Sequence, residues 1–235
     1  MDLENARVLV TGGSSGIGFA TAKLLRERGA RVAICGRDAT RLEAAGQELD
    51  ALAIPGDVSQ ESDAEQIVAA TLEGLGGLDV LINNAGFGRF APLVELDIAD
   101  MDAVYQTNVR GATLVARACA RHFIAEGHGG NIINVASTAA TRGFPNGSAY
   151  AASKFALTAL TECWRAELRP HDVRVMQVNP SEVLTEFAVR ARGEEKPANP
   201  TKLQGEDIAY AMVSMLEMND RGFTTEMTVF ATNPK

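Results

Sequence analysis

The chain has 235 residues, 46% of them hydrophobic and 22% charged, the proportions of a globular domain with ample side chain to bury. A formal net charge of −8 without a basic stripe opposes a nucleic-acid partner, which needs cations to meet its phosphates. No run approaches the ~18 apolar residues of a membrane span, and residues 1–5 lack a leader's apolar core, so a cytoplasmic protein with no membrane partner is expected.

Arg7-Val8-Leu9-Val10-Thr11 is aliphatic and β-branched, the pattern of a strand buried on both faces. It breaks into Gly12-Gly13-Ser14-Ser15-Gly16-Ile17-Gly18, and helical spacing follows over 20–28, stopped by Gly29. A second strand over 31–35 ends at Gly36-Arg37, and Asp38 is placed to cap a helix over 38–50. A third strand, 51–54, ends at Gly56-Asp57-Val58. The helix after it, 60–75, begins with acidic residues. The fourth strand, 78–82, runs into Asn83-Asn84-Ala85-Gly86, and a long helical region over 97–126 carries Gly111 in its middle, which predicts a bend or break. A fifth strand, 131–135, leads through Ser137, Arg142, Phe144 and Pro145 to a helix that Ser148 is placed to cap and that ends near Arg169-Pro170. A sixth strand over 173–178 precedes Asn179-Pro180. A helix over 206–218 and a strand over 227–231 close the chain.

Strand and helix alternate six times with no linker or repeat, which predicts one α/β domain over 1–235. Its form is a Rossmann-type doubly wound domain with a mostly parallel sheet of about seven strands flanked by helices. The irregular stretch within 186–204 follows a strand's C-terminal end, where such sheets bind ligands, and is expected to cover a site as a substrate loop. Cys35, Cys119 and Cys163 are odd in number and lack zinc-ligand spacing, so buried thiols in a reducing compartment are expected, and no metal.

The glycine loop between strand and helix suits a nucleotide: a tight turn lets backbone approach a pyrophosphate while the helix N-terminus points its N–H groups at the phosphates. An acidic residue ending the second strand would take the ribose hydroxyls of NAD. Arg37 stands there instead, placed to meet a 2′-phosphate, with the Asp38 carboxylate engaged as a cap. NADP(H) is therefore favoured, with NAD(H) as the alternative. Farther on, Tyr150 and Lys154 lie four apart and share a helix face. A free phenol titrates near pH ~10, and a neighbouring cation favours its ionised form, so the pair has the makings of a tuned proton donor and acceptor. A solvated helix face has the same spacing. The residues around the pair decide between the two.

Those residues resemble the short, single-domain branch of the short-chain dehydrogenases/reductases. The resemblance rests on Thr11-Gly12-x-x-x-Gly16-Ile17-Gly18, Asp57-Val58, Asn83-Asn84-Ala85-Gly86, Asn108, Ser137 and Tyr150-x-x-x-Lys154, in that order. Asn179-Pro180-x-x-Val183-x-Thr185 also matches, with Ser181 where the family most often has Gly. It covers residues 7–185. The resemblance implies hydride transfer between NADP(H) and a small carbonyl or secondary-alcohol substrate. It makes Asn108, Ser137, Tyr150 and Lys154 catalytic: Tyr150 as general acid or base, Ser137 orienting the carbonyl, and Lys154 lowering the Tyr150 pKa while holding the nicotinamide ribose. Asn108 would hold a relay water. It also implies cofactor contacts from Gly12, Ser14, Ser15, Gly16, Ile17, Gly18, Arg37, Asp57, Val58, Asn84, Ala85, Gly86, Tyr150, Lys154, Pro180, Val183 and Thr185. A homodimer or homotetramer is implied too, joined through helices around 104–121 and 151–168.

Phe87, Phe90, Phe144 and Phe187 are placed to wall an apolar pocket, while Arg89, Arg142 or residues 190–196 are placed to attract an anion. Two other readings stand beside the leading one. A non-catalytic nucleotide-sensing regulator would typically lack the Tyr or the Lys, and the epimerase/dehydratase branch usually needs a longer C-terminal region.

Overall fold

Successive residues of a strand face opposite sides, and a sheet covered on both faces must have apolar residues at both parities. The first strand, Arg7–Thr11 (β1), shows this in a computed structural model that describes residues 1–185, 187, 199 and 201–233. Val8 and Val10 point one way, to Leu25, Ile34, Leu42, Met212 and Leu216, whereas Leu9 points the other way, to Ile67, Leu81, Val115, Phe123 and Ile132. All of these side chains are at most 1% exposed. Two cores, one on each side of a single sheet, follow from that alternation.

The remaining elements are Gly16–Glu27 (α1), Arg31–Gly36 (β2), Ala39–Leu49 (α2), Leu52–Pro55 (β3), Glu61–Leu75 (α3), Val80–Asn83 (β4), Ile98–Tyr105 (α4) and Ala112–Glu126 (α5). Gly130–Val135 (β5), Ser148–Leu168 (α6), Val173–Pro180 (β6), Gly205–Glu217 (α7) and Glu226–Val229 (β7) complete them. The seven strands run in the order β3-β2-β1-β4-β5-β6-β7, and every pairing is parallel. Helices α1, α2 and α7 cover one face; α3, α5 and α6 contribute to the core on the other. Strand order reverses between β1 and β4, so α1 leaves to one face and α5 to the other, and a crevice opens at the strands' C-terminal ends.

Three expectations change. Gly111 does not break the long helix. A π-helical turn, Gln106–Gly111, links α4 to α5 without interruption, and a Cβ at Gly111 would lie 2.9 Å from Val58 Cγ2. The glycine permits close packing against the loop after β3. Ser148 is the first residue of α6, with Gly147 at the cap position and no side-chain cap, because the chain enters the helix one residue earlier than the serine signal suggests. Cys163 is exposed, while Cys35 and Cys119 are buried as expected: Cys163 sits on a face of α6 turned away from the sheet. Asp38 does cap α2, accepting from the Arg41 N–H at 3.1 Å.

Helix α6 is held on the sheet by polar side chains inside the core. Asn83 Nδ2 donates to Ala112 O (2.9 Å) and to Asn134 Oδ1 (3.1 Å), and Asn134 Nδ2 donates to Thr161 on α6 at 2.8 Å. Gln177 on β6 donates to Thr158 Oγ1 at 3.1 Å and to Asn179 Oδ1 at 2.8 Å. Stranding a buried polar partner costs about 1–3 kcal/mol, so these bonds select one seating of α6 over its slipped alternatives.

Candidate active site

The crevice is a cleft of about 1170 Å³, running from Gly12 and Arg37 at one end to Ser137 and Tyr150 at the other. Its rear is fixed where β1 and β4 meet. Thr11 ends an aliphatic strand with a hydroxyl, and its Oγ1 accepts from the N–H groups of Asn84 (3.0 Å) and Ala85 (2.9 Å). Asn84 Nδ2 donates back to Thr11 O at 2.9 Å. Gly12 then turns with φ +65°, a conformation L side chains rarely adopt, and a Cβ at Gly18 would lie 2.4 Å from Gly12 O. Helix α1 thus starts hard against the loop. Ser15 precedes it in extended conformation without a side-chain cap, which leaves the first N–H groups for an anion.

Of the expected cofactor residues, Gly12, Ser14, Ser15, Gly16 and Ile17 line the cleft, as do Arg37, Asp57, Val58, Asn84, Ala85 and Gly86. Gly18 stands behind the loop, where its contribution is the close packing just described. Asp57 shapes its own turn: Oδ1 accepts from Ser59 N at 3.0 Å, and its N–H donates to Asp63 Oδ2 at 2.9 Å. Arg41, in the first turn of α2, also lines the cleft beside Arg37. It escaped the sequence reading; its signal is a second arginine one helical turn beyond the first. A groove with uncapped N–H groups at its centre and two guanidinium groups at its outer end fits a phosphate-bearing dinucleotide.

At the other end, Ser137 follows β5 and accepts from Ala139 N at 3.1 Å, and the Tyr150 phenol lines the same end of the cleft. The rings of Phe90 and Phe187 stand with centroids 5.7 and 5.4 Å from that of Tyr150. Burial pushes the phenol up to about 12, and the Ser137 hydrogen bond acts in the opposite direction. Lys154 is 5% exposed; its Nζ donates to Val135 O at 2.8 Å and lies 5.8 Å from the Tyr150 ring centroid. Burial pulls its ammonium down to about 8. Burial outweighs the opposing pull of Ser137, so the phenol lies above its ordinary value, and the Lys154 ammonium in this cleft donates to a carbonyl.

Asn108 lies behind the cleft, 1% exposed, in the π-helical turn. Its Oδ1 accepts from Phe87 N at 3.0 Å, and its Nδ2 donates to Phe87 O (2.9 Å) and Ser153 Oγ (3.0 Å). Ser153 in turn donates to Tyr150 O at 2.7 Å. Asn108 therefore clamps the loop after β4 to the tyrosine helix. Neither that clamp nor Ser153 was legible in the motif spacing.

Pro180, the last residue of β6, and Val183 and Thr185 beyond it line the cleft. Ser181 has no positive φ, and its N–H donates to Val229 O at 2.9 Å, so the serine fits where the family has glycine. Val183 bridges Leu203, and Glu182 pairs with Lys202 at 2.8 Å. Most of the expected substrate loop, residues 186, 188–198 and 200, lies outside the described residues, and with it the anion-attracting segment 190–196. Arg89 is paired with Asp100 at 3.1 Å.

Known proteins are similar to this chain in architecture and in sequence. The profile of a family described as short chain dehydrogenase matches residues 6–196. An oxidoreductase of Sarocladium schorii is 34% identical over 235 residues, covering 97% of this chain and 94% of that one. The structure of a 3-ketoacyl-(acyl-carrier-protein) reductase from Brucella melitensis complexed with NADH is 32% identical, covers 98% of each chain and superposes with a TM-score of 0.89. A short chain dehydrogenase from Burkholderia cenocepacia in complex with NADP is 33% identical, with 98% of each chain covered and a TM-score of 0.86.

Lys154 should titrate near pH 8 in the cofactor-free protein, followed through its ε-carbon resonance; a midpoint at the ordinary 10.5 would show a solvated ammonium. The sign for stability follows. Below pH 8 both folded and unfolded chains hold this proton, and the folded state carries the full penalty of the buried cation. Between 8 and 10.5 only the unfolded chain holds it, so this group's contribution to stability rises with pH across that window.

Proposed function

The chain belongs to the short chain dehydrogenase family, an oxidoreductase acting on CH–OH and C=O groups with a nicotinamide cofactor, and from that premise we propose that it moves hydride between NADP(H) and a carbonyl or secondary-alcohol substrate. One observation carries the reading. A single cleft joins the glycine loop and Arg37 to Ser137, Tyr150 and Lys154.

When bound, the nicotinamide supplies or accepts the hydride. The chain's own residues do the rest. Ser137 donates to the substrate's carbonyl oxygen and holds it beside the phenol. Tyr150, kept protonated by its burial, gives its proton to that oxygen as negative charge develops, and in the oxidative direction takes it back. Lys154 holds the ribose hydroxyls of the cofactor, which returns to the ammonium some of the hydrogen bonding lost on burial and brings positive charge to the phenol. Asn108, through Phe87 and Ser153, keeps the substrate wall and the tyrosine helix in register. Ser14, Ser15, Gly16 and Ile17 present the loop and helix start to the pyrophosphate. Asp57 and Val58 face the adenine, and Pro180, Val183 and Thr185 hold the carboxamide side.

The preference for NADP(H) rests on Arg37 and Arg41, which both line the cleft, and on Asp38, whose carboxylate caps α2 and pairs with Arg41 at 4.0 Å. The reading extends to a cytoplasmic homodimer or homotetramer joined through 104–121 and 151–168. Phe155, 44% exposed on α6, and the exposed Cys163 support that face. Among the described residues no helix is long and apolar enough to cross a membrane.

Tyr150→Phe should lower turnover about 10²- to 10⁴-fold, the usual worth of a positioned proton donor, with the NADPH dissociation constant changed less than threefold. Undiminished turnover would overturn the assignment. Replacing Arg37 by Asp should weaken NADPH about 10- to 100-fold and NADH hardly at all, since a charge-assisted bond contributes about 1.5–3 kcal/mol. Equal affinity of the unmodified protein for both cofactors would count against the phosphate role. Light scattering should return two or four times the 24.9 kDa chain mass, and a single-chain mass at micromolar concentration would reject the interface.

A further inference from the structure

The chain has nine phenylalanines, and four of them, Phe87, Phe90, Phe144 and Phe187, line the cleft on the Tyr150 side. Three of them, Phe90, Phe144 and Phe187, gather around Tyr150. Phe90 stands edge-on to Tyr150 at 65° and 5.7 Å, Phe144 lies 6.0 Å from Phe90, and Phe187 meets Tyr150 from another direction at 5.4 Å. Two glycines make room for these rings. A Cβ at Gly88 would lie 2.9 Å from Phe90 Cζ and 3.1 Å from Phe187 Cζ, and one at Gly147 would lie 2.5 Å from Phe144 Cζ. The ring positions are thus built into the backbone.

The charges at the mouth are largely matched within the protein. Arg89 pairs with Asp100 and lies over the Phe87 ring at 5.4 Å, and Glu182 pairs with Lys202. Arg142 is exposed at the rim. A polyhydroxylated substrate would turn its hydroxyls toward ring carbons and lose water without replacement. A flat apolar group gains edge and face contacts with several rings at once.

We propose that the substrate is a ketone, or the matching secondary alcohol, whose carbonyl carbon bears an aryl or comparably flat apolar group seated among Phe90, Phe144 and Phe187. The proposal rests on the hydride-transfer reading above. In the reductive direction the carbonyl carbon gains the hydride and its oxygen gains the Tyr150 proton. The reduced nicotinamide loses two electrons, and solvent returns the proton to Tyr150.

The test measures NADPH consumption with three carbonyl compounds at matched concentration: propiophenone, a ketopentose, and an acetoacetyl thioester of N-acetylcysteamine. Propiophenone should show kcat/KM at least about tenfold above the other two, and Phe90→Ala and Phe144→Ala should each raise its KM about tenfold, the change expected for loss of one ring contact and its buried area. NADPH binding should stay within about twofold in both variants. Acetanilide has a similar shape but an amide that is not reduced, and it should bind the cofactor complex about tenfold more weakly in Phe90→Ala. Faster consumption with the ketopentose or the thioester, or variants with unchanged KM for propiophenone, would overturn the substrate class and leave the hydride-transfer reading standing. Phe90-dependent acetanilide binding with no NADPH consumption from any compound would support the aromatic seat and overturn hydride transfer instead.

Discussion

The hydrogen-bonded tie between the ends of β1 and β4 is the constraint on which the rest of the molecule depends. A parallel sheet that winds both ways from its middle must part there, because the helix after β1 packs on one face and the helix after β4 on the other. Parting alone would leave frayed strand ends. Thr11 accepts two N–H groups from the opposite strand's exit, and Asn84 donates back, so the gap opens beyond a fixed floor. The glycine loop, the α1 N-terminus and the loop carrying Phe87 all take their positions from that floor.

A second constraint places the chemistry. Helix α6 must present Tyr150 and Lys154 over the C-terminal end of β5, and apolar packing by itself tolerates sliding. The Asn134–Thr161 and Gln177–Thr158 bonds do not. Asn108 adds a contact from the π-helical turn, tying Ser153 on α6 to the loop after β4. Polar groups inside a core contribute less to stability than to the choice of one arrangement. Here the arrangement chosen is the one that brings phenol, hydroxyl and ammonium into a single cleft.

Burial in that cleft acts on two groups in opposite senses on the pKa scale, and both shifts disfavour charge. The phenol rises toward 12 and keeps its proton at neutral pH, while the ammonium falls toward 8 and stays charged at a penalty. A phenol that keeps its proton suits a donor to developing alkoxide. The rings of Phe90 and Phe187 that stand beside the phenol also line the cleft.

Much of this was legible in the sequence. Apolar residues at both parities of Arg7–Thr11 dictated a sheet covered on two faces, and the six alternations of strand and helix dictated a parallel winding, because both patterns are local consequences of side-chain direction. Motif order likewise identified the residues from Gly12 to Thr185, of which all but Gly18, Asn83, Asn108 and Asn179 line the cleft. Other features depend on residues far apart in the chain and carry no periodic signal. Arg41 joins Arg37 only once α2 has turned, Asn108 reaches Phe87 only through the π-helical turn, and Cys163 is exposed only because of the way α6 is rolled. The phenol of Tyr150 and the ammonium of Lys154 were assigned to one face by their spacing alone. Which neighbour adjusts the phenol was decided by the tertiary structure, since a pKa answers to burial and to the nearest hydrogen bond, and both are set by the packing of distant segments.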